Sequence, residues 1–352
     1  MLRKTGIRAL MVGLLLIAGC GGSGSEDTGP TTVRLVTHDS FEISDEILAA
    51  FEEETGHTVE RLSAGDAGTM VNQAILTKDN PIADVMFGID NTFLGRALEE
   101  DLFEEYRSPG LDNVPASLQL DPRVTPIDFG DVCLNYDVAG LSERDLPPPT
   151  TLRDLTKPEY SGLLVVEHPG TSSPGLAFLM STVAVFGEEG DYPWQSFWSD
   201  LVANDVLVTA GWEDAYYGAF SGGAGEGDRP IVVSYASSPP AEVIYADPPV
   251  SEAPTRVIQD GCFRQIEFAG VMSGTPVPEA ARDLIDFMLS LPFQEDIPLN
   301  MFVFPANQKA QLPDEFVNYT EVPASPVLMQ PEIIDANRSR WIEEWIEIVA
   351  TS

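Results

Sequence analysis

Two hydrophobic patterns alternate along the chain: short, β-prone apolar runs, and longer stretches in which apolar residues recur with helical spacing. The apolar runs predict strands at 32–37, 58–64, 83–89, 132–137, 162–169, 205–212, 230–235 and 262–272. The amphipathic stretches predict helices at 44–56, 68–78, 94–103, 172–187, 193–202, 213–220, 278–289 and 331–350. Because strands and helices alternate, the pattern predicts an α/β protein with mainly parallel sheets and helices on both faces.

Local signals mark the first and the last of these helices. Ser44 can cap the first helix at its N-terminus, and Gly56 can end it in the left-handed conformation. In the last helix, Trp341, Trp345 and Ile348 are spaced to face a core. We therefore expect the last helix to pack against the body of the protein.

The element order and the length of 352 residues favour two lobes. One α/β set is followed by another, and the strand at 262–272 leads back to the first. We expect a first lobe of 32–127 plus about 263–305, and a second lobe of about 128–262 plus 306–352. Open α/β sheets bind ligands at the carboxyl ends of their strands, so a ligand site is expected in the cleft between the lobes.

Polar and aromatic side chains recur at these predicted strand ends. They are His38, Asp39, Asp66, Asp90, Asn91, Thr171, Ser172, Ser173, Trp212 and the segment Tyr235–Ser238. Hydroxyls ahead of a helix-opening proline suit an anion or the polar edge of a ring. The π faces of Trp212 and Tyr235 can stack rings and attract cations. The alternative, that these residues are only core aromatics and helix caps, stays open.

Charge and motifs narrow the possible functions. The chain carries 56 acidic and 19 basic side chains, a net charge of −37, which argues against a nucleic-acid partner. Such a charge attracts cationic small ligands, although it also serves simply to keep a secreted protein soluble. The sequence has no GxSxG, P-loop or HExxH motif. We therefore expect a monomeric binding protein with no cofactor and no enzymatic activity.

The N-terminal 20 residues have the pattern of an export signal. Basic residues precede a short apolar run, and residues 17–20 resemble the lipobox of bacterial lipoproteins, with Cys20 as the lipidated residue. An ordinary signal peptide with an accidental cysteine is the alternative. Residues 21–31 are predicted to be a flexible linker. The mature protein is thus expected to be anchored by lipid to the outer face of the cell membrane.

Several stretches together resemble the thiamine-binding proteins of bacterial ABC importers, which belong to the type II periplasmic-binding class. The matching stretches are 37–41, 83–91, 125–130, 171–176, 208–216, 232–239, 293–298 and 304–307. They follow the order of that family and span about 32 to 350. The resemblance implies a two-lobed fold with the ligand held in the cleft.

The resemblance also implies a set of ligand-binding residues. They are Asp66, Ala67, Ser172, Ser173, Trp212, Tyr235, Ala236, Ser237 and Ser238, together with His38 and Phe302. This sequence departs from the family pattern at four positions. Ala67 replaces a glycine, His38 and Ala241 each replace a tyrosine, and Phe302 replaces a tryptophan. Under the resemblance, Asp66 binds the aminopyrimidine or balances the thiazolium, and the serines bind the polar end of the ligand.

Two cysteines, Cys133 and Cys262, lie within the exported part of the chain. Outside the cytoplasm such a pair more often forms a disulfide than a metal site. In the class that the chain resembles, strands at these two points run side by side between the lobes. The resemblance therefore implies a disulfide, with two buried free thiols as the alternative.

The resemblance implies a substrate-binding protein that captures thiamine or a thiamine phosphate and delivers it to an ABC permease. One alternative is the same fold with another ligand, such as ferric ion or a polyamine. Adjacent tyrosines bind iron in related proteins, but Tyr216 and Tyr217 are not at the matching place. An extracytoplasmic enzyme is a further alternative, for which the sequence offers no nucleophile and base pair.

Overall fold

A computed structural model describes residues 31–350. The predicted lipidation site Cys20 and residues 21–30 of the predicted linker lie outside the described residues. The described strands are β1 (Thr32–Thr37), β2 (Thr58–Ser63), β3 (Val85–Asp90), β4 (Thr125–Asp137), β5 (Leu164–Glu167), β6 (Leu207–Thr209), β7 (Ile231–Tyr235), β8 (Thr255–Val271) and β9 (Phe304–Pro305).

These strands form one mixed sheet in the order β2-β1-β3-β8-β4-β7-β5-β6, with β9 beside β4. The pairs β1–β2, β1–β3, β5–β6 and β5–β7 are parallel. Around β4 and β8 every pair is antiparallel. The prediction of parallel strands therefore applies to the two ends of the sheet, which we call the first lobe (β1–β3) and the second lobe (β5–β7).

Two long central strands connect the lobes. β4 has 13 residues and β8 has 17, and they pair from Thr125 with Ala269 to Asp137 with Thr255. Sequence pattern predicted only their segments 132–137 and 262–272. The first half of β4 was missed because a bulge at Pro126 to Asp128 interrupts the alternation that marks a strand.

The described helices are α1 (Asp45–Thr55), α2 (Ala67–Leu76), α3 (Leu94–Glu99), α4 (Val138–Glu143), α5 (Ser173–Phe186), α6 (Trp194–Ala203), α7 (Ser238–Ile244), α8 (Pro278–Met288), α9 (Leu291–Asn300), α10 (Asp314–Tyr319) and α11 (Pro331–Ala350). Short 3-10 helices and a π-helical turn at Asp214–Ala219 complete the connections. Gly56 ends α1 with φ of 74° and donates its N–H to the carbonyl of Glu52, as predicted. Within residues 31–350, no helix has both the length and the apolar composition that crossing a membrane requires.

The C-terminal helix α11 packs on the body of the protein through two buried tryptophans. Trp341 and Trp345 are 2% and 1% exposed. The Trp345 ring meets Trp198 of α6 edge-on at 5.5 Å. On the same helix, the Arg338 guanidinium lies 5.5 Å from the centre of the Phe93 ring, next to β3. The last helix therefore contacts both lobes.

The two cysteines are joined by a disulfide where β4 and β8 change register. Cys133 is bonded to Cys262, with 4.4 Å between their Cα atoms. Val132 pairs with Phe263 and Leu134 with Ile258, so four residues of β8, 259–262, lie opposite the single residue Cys133 of β4. The bond thus crosslinks the two central strands at their largest irregularity.

Candidate ligand-binding site

A cavity of about 800 Å³ lies between the lobes. The residues predicted from sequence that line it are His38, Asp66, Ala67, Ser173, Trp212, Tyr235, Ser238 and Phe302. Three other predicted residues, Ser172, Ala236 and Ser237, are buried and do not line the cavity. The structure therefore brings most of the predicted site residues together from both lobes.

Asp66 connects the two lobes at the cavity. It is the N-cap of α2, and its Oδ1 accepts a hydrogen bond from the Ala67 N–H at 2.6 Å. From the second lobe, the Ser173 N–H donates to Oδ1 at 3.3 Å and the Trp212 N–H donates to Oδ2 at 3.0 Å. Burial raises the pKa of the Asp66 carboxyl, and the Trp212 and Ala67 N–H donors partly offset that rise. This carboxylate is thus bound by three backbone donors of the protein itself.

Trp212 is held in one orientation by contacts on its edge and on one face. Its Nε1 donates to Ser234 Oγ at 2.9 Å, and Ser234 Oγ lies 2.8 Å from Ser238 Oγ. Ser238 Oγ also accepts from the Tyr235 N–H at 3.2 Å. Tyr216 stacks on the indole with ring centres 4.9 Å apart. The site therefore presents an aromatic wall whose orientation is set before a ligand binds.

A buried serine hydroxyl belongs to the lining of the cavity. Ser173 Oγ makes no hydrogen bond of normal geometry in the described part of the chain, although its hydroxyl interacts with the Asp90 carboxyl and lowers the pKa of that group. Ser173 begins α5, whose Ser172 N-cap accepts from the Gly175 N–H. A hydroxyl at the start of a long helix suits the polar or anionic end of a ligand. Ser237 Oγ also makes no hydrogen bond of normal geometry within the described residues, but it lies outside the cavity lining.

His38 faces a carboxylate that the sequence pattern did not identify. Its Nε2 lies 3.7 Å from Oε2 of Glu267, which lines the same cavity. Burial lowers the pKa of His38, but the acidic neighbours Glu267, Asp66 and Asp39 together outweigh this effect, so the net shift of the pKa is upward. Gly88 makes this position possible, because it lies at a bulge with φ of 91° and a Cβ there would be 2.1 Å from His38 Cδ2.

The bacterial extracellular solute-binding protein family matches residues 80–321 of the chain. The chain belongs to this family. The thiamine-binding periplasmic protein of Salmonella typhimurium is 30% identical to this solute-binding protein over 90% of its chain and 93% of the relative. The thiamine-binding periplasmic protein of Escherichia coli is 29% identical, over 90% and 93% of the two chains.

The fold comparison agrees with the sequence comparison. The solved structure of a periplasmic thiamin binding protein has a TM-score of 0.80 and 27% sequence identity. The match covers 94% of this solute-binding protein and 99% of that chain. The predicted resemblance to thiamine-binding periplasmic proteins and the predicted type II periplasmic-binding fold are confirmed. As a member of its family, the protein is extracytoplasmic, and its relatives are binding proteins.

Several cavity residues of this solute-binding protein were not predicted as ligand contacts. They include Ser40, Glu213, Tyr216, Tyr217, Glu242, Tyr245 and Glu267. Among these residues, Tyr216 and Tyr217 were noted in the sequence, because adjacent tyrosines bind iron in related proteins. In the structure, however, the Tyr216 hydroxyl donates to Glu242 Oε1 at 2.7 Å. Across residues 31–350, no three His, Cys, Asp or Glu side chains are grouped so that they could hold a metal ion.

The four residues that depart from the family pattern lie at the cavity. His38, Ala67, Ala241 and Phe302 all line it. Phe302 meets the ring of Tyr245 edge-on at 5.7 Å, and Tyr245 is 62% exposed. An aromatic pair therefore stands at the rim of the cavity, where the resemblance led us to expect a single tryptophan.

Proposed function

We propose that this solute-binding protein captures thiamine, or a thiamine phosphate, and delivers it to the permease of an ABC importer. The observation that carries the proposal is the fixed aromatic wall of Trp212, Tyr216 and Tyr235 next to buried carboxylates in one interlobe cavity. The names of the relatives at about 30% identity support the same ligand.

The chemistry of thiamine fits the groups that line the cavity. Thiamine has two aromatic rings, and its thiazolium ring carries a permanent positive charge. Aromatic faces attract such a cation, and a net charge of −37 favours its approach. The buried hydroxyl of Ser173 at the start of α5 suits the hydroxyethyl group of thiamine or its phosphate ester.

Ligand binding is proposed to stabilise the closed arrangement of the lobes. Asp66 of the first lobe accepts N–H groups of Ser173 and Trp212 in the second lobe, and both of these residues line the cavity. A ligand that contacts the same wall would favour the form in which these bonds are made. We propose that the permease recognises this closed monomer, which releases its ligand chemically unchanged.

Thiamine is expected to bind the purified protein at one site with micromolar affinity or better, about −8 kcal/mol or stronger. Isothermal titration calorimetry measures this directly. Spermidine and a ferric salt, titrated in parallel, should produce no comparable heat. Absence of both heat and thermal stabilisation at millimolar thiamine would overturn the proposal, and saturable binding of spermidine or ferric ion would replace it.

We further propose that Cys20 anchors the protein to the outer face of the cell membrane. The lipobox-like residues 17–20 and the Gly-Ser-rich segment after them support this location. The Cys20→Ser variant should move from the membrane fraction to the soluble fraction, because it lacks the thiol that lipid attachment requires. Wild-type protein, fractionated in parallel, is the control. A variant that stays in the membrane fraction without acylation would contradict the anchor.

A further inference from the structure

Three carboxylates form a row across the central strands at the cavity. In the sheet register, Glu267 of β8 is paired with Asp90 of β3 on one side and with Asp128 of β4 on the other. Residues directly opposite on neighbouring strands project from the same face of a sheet. Bulges at Phe87/Ile89 and at Pro126/Asp128 lie beside the row and set this register.

The two outer members of the row are closed off from the cavity. Asp128 is fully buried, and its carboxyl oxygens make no hydrogen bond of normal geometry in the described chain, although its side chain interacts with that of Glu267. Asp90 is also fully buried, and its Oδ1 accepts from Thr92 and Phe93 while its Oδ2 makes no hydrogen bond of normal geometry within residues 31–350. Like charges at such short range repel, so a row of three ionised carboxylates is unfavourable.

Protonation of the outer members removes this repulsion. Burial, followed by the charge of Glu267, raises the pKa of Asp128 well above its ordinary value. Burial also raises the pKa of Asp90 to about 7, although the Thr92 hydroxyl opposes that rise. Glu267 is the member that reaches the cavity. Glu267 is therefore the carboxyl group of the row that a ligand in the cavity can contact.

The other carboxylates that line the cavity are bonded within the protein or exposed to water. Asp66 accepts three backbone N–H groups, and Glu242 accepts the Tyr216 hydroxyl. The remaining ones, Glu42, Glu213 and Asp247, are exposed. Solvent weakens the attraction of exposed carboxylates for a cation.

One carboxyl oxygen of Glu267 makes no hydrogen bond of normal length, although the side chains of His38 and Asp128 both interact with this carboxyl group. Its Oε1 accepts from Gln265 Nε2 at 3.0 Å, whereas Oε2 lies 3.7 Å from His38 Nε2, beyond hydrogen-bonding distance. The nearest arginine along β8, Arg264, forms an ion pair with Asp131 at 2.6 Å. Within the described chain, His38 is thus a basic side chain that faces Glu267.

We propose that Glu267 determines the specificity of this cavity for a positively charged ligand. The inference rests on the proposed function, in which the ligand is a heteroaromatic cation, and it assigns recognition of the charge to Glu267 rather than to Asp66. Asp90 and Asp128 act as positioning residues that flank Glu267 and keep water from its buried side.

The test compares thiamine with 3-deazathiamine, a neutral analogue in which carbon replaces the thiazolium nitrogen. Glu267→Gln keeps the shape of the side chain and removes its charge. We expect this variant to bind thiamine at least about tenfold more weakly than wild type, because a buried charge partner is lost. Binding of 3-deazathiamine should change by less than about twofold, since that probe carries no charge for Glu267 to recognise.

Glu226→Gln is the matched control, because Glu226 is exposed and does not line the cavity. It should change thiamine affinity by less than about twofold.

If Glu267→Gln fails to fold, the affinities of wild type for the two probes are the test. Wild type should bind thiamine at least about tenfold more tightly than 3-deazathiamine. Equal affinities of wild type for the two probes, or equal losses of affinity for both probes in Glu267→Gln, would overturn the role of Glu267 but not the proposed function. Failure of wild type to bind thiamine at all would overturn the proposed function and this inference together.

Discussion

Replacing both Cys133 and Cys262 by alanine is expected to lower the free energy of unfolding by about 4 to 5 kcal/mol. The disulfide closes a loop of 129 residue steps, and the chain-entropy model assigns a large stabilisation to so long a loop. Both side chains are buried, at 2% and 1% exposure, so alanine introduces no polar group into the core. Urea denaturation followed by circular dichroism measures the difference in stability.

Wild-type protein unfolded in the presence of a reductant provides the control for this prediction. It should match the double alanine variant, because both lack the crosslink between β4 and β8. Iodoacetamide labelling of the denatured, unreduced protein tests the bond separately. Two labelled thiols per chain, or equal stability of wild type and variant, would contradict a structural disulfide.

Trp212→Ala is expected to weaken thiamine binding at least about tenfold, which corresponds to about 1.4 kcal/mol or more. The substitution removes the indole from the cavity. It also removes the ring on which Tyr216 stacks, with ring centres 4.9 Å apart. The Ser234 hydroxyl loses its indole donor as well. Calorimetric titration of wild type and variant at the same pH and salt concentration gives the ratio of dissociation constants.

Trp212→Phe separates stacking from hydrogen bonding at this position. Phenylalanine keeps an aromatic face but cannot donate to Ser234, so this variant should retain more affinity than Trp212→Ala. A thermal melt of each variant reports whether the fold is intact. Binding of thiamine by Trp212→Ala within about twofold of wild type would assign Trp212 to the core of the second lobe instead of to the site.

Features that depend on neighbouring residues in the chain were predicted from sequence. The spacing of apolar residues predicted the strands β1, β2, β3, β5, β6 and β7 and the main amphipathic helices. Gly56 was correctly expected at the end of the first helix, because the positive φ angle that glycine adopts acts within one turn. The predicted burial of Trp341 and Trp345 is confirmed for the same reason, since both lie on one face of α11.

Features that depend on pairing between distant segments were not predicted. Asp66 was expected to bind the ligand. Its carboxylate instead accepts hydrogen bonds from backbone N–H groups that lie 107 and 146 residues further along the chain. Ser237 and Ala236 follow a strand as the pattern indicated, yet the turn into α7 buries them behind the cavity. Sequence pattern shows that a residue lies at a strand end, and it does not show which way the side chain points.

The sequence by itself determined the α/β class, the two sets of elements, the family and a list of candidate contacts near strand ends. Only the tertiary structure decided the full length and the register of β4 and β8, and that Asp90, Glu267 and Asp128 form one row. Strand register depends on pairing across more than a hundred residues and on bulges that interrupt the two-residue period. The physical reason is that periodicity reports which face of an element is buried, whereas the charge presented to a ligand depends on which distant side chains the fold places beside it.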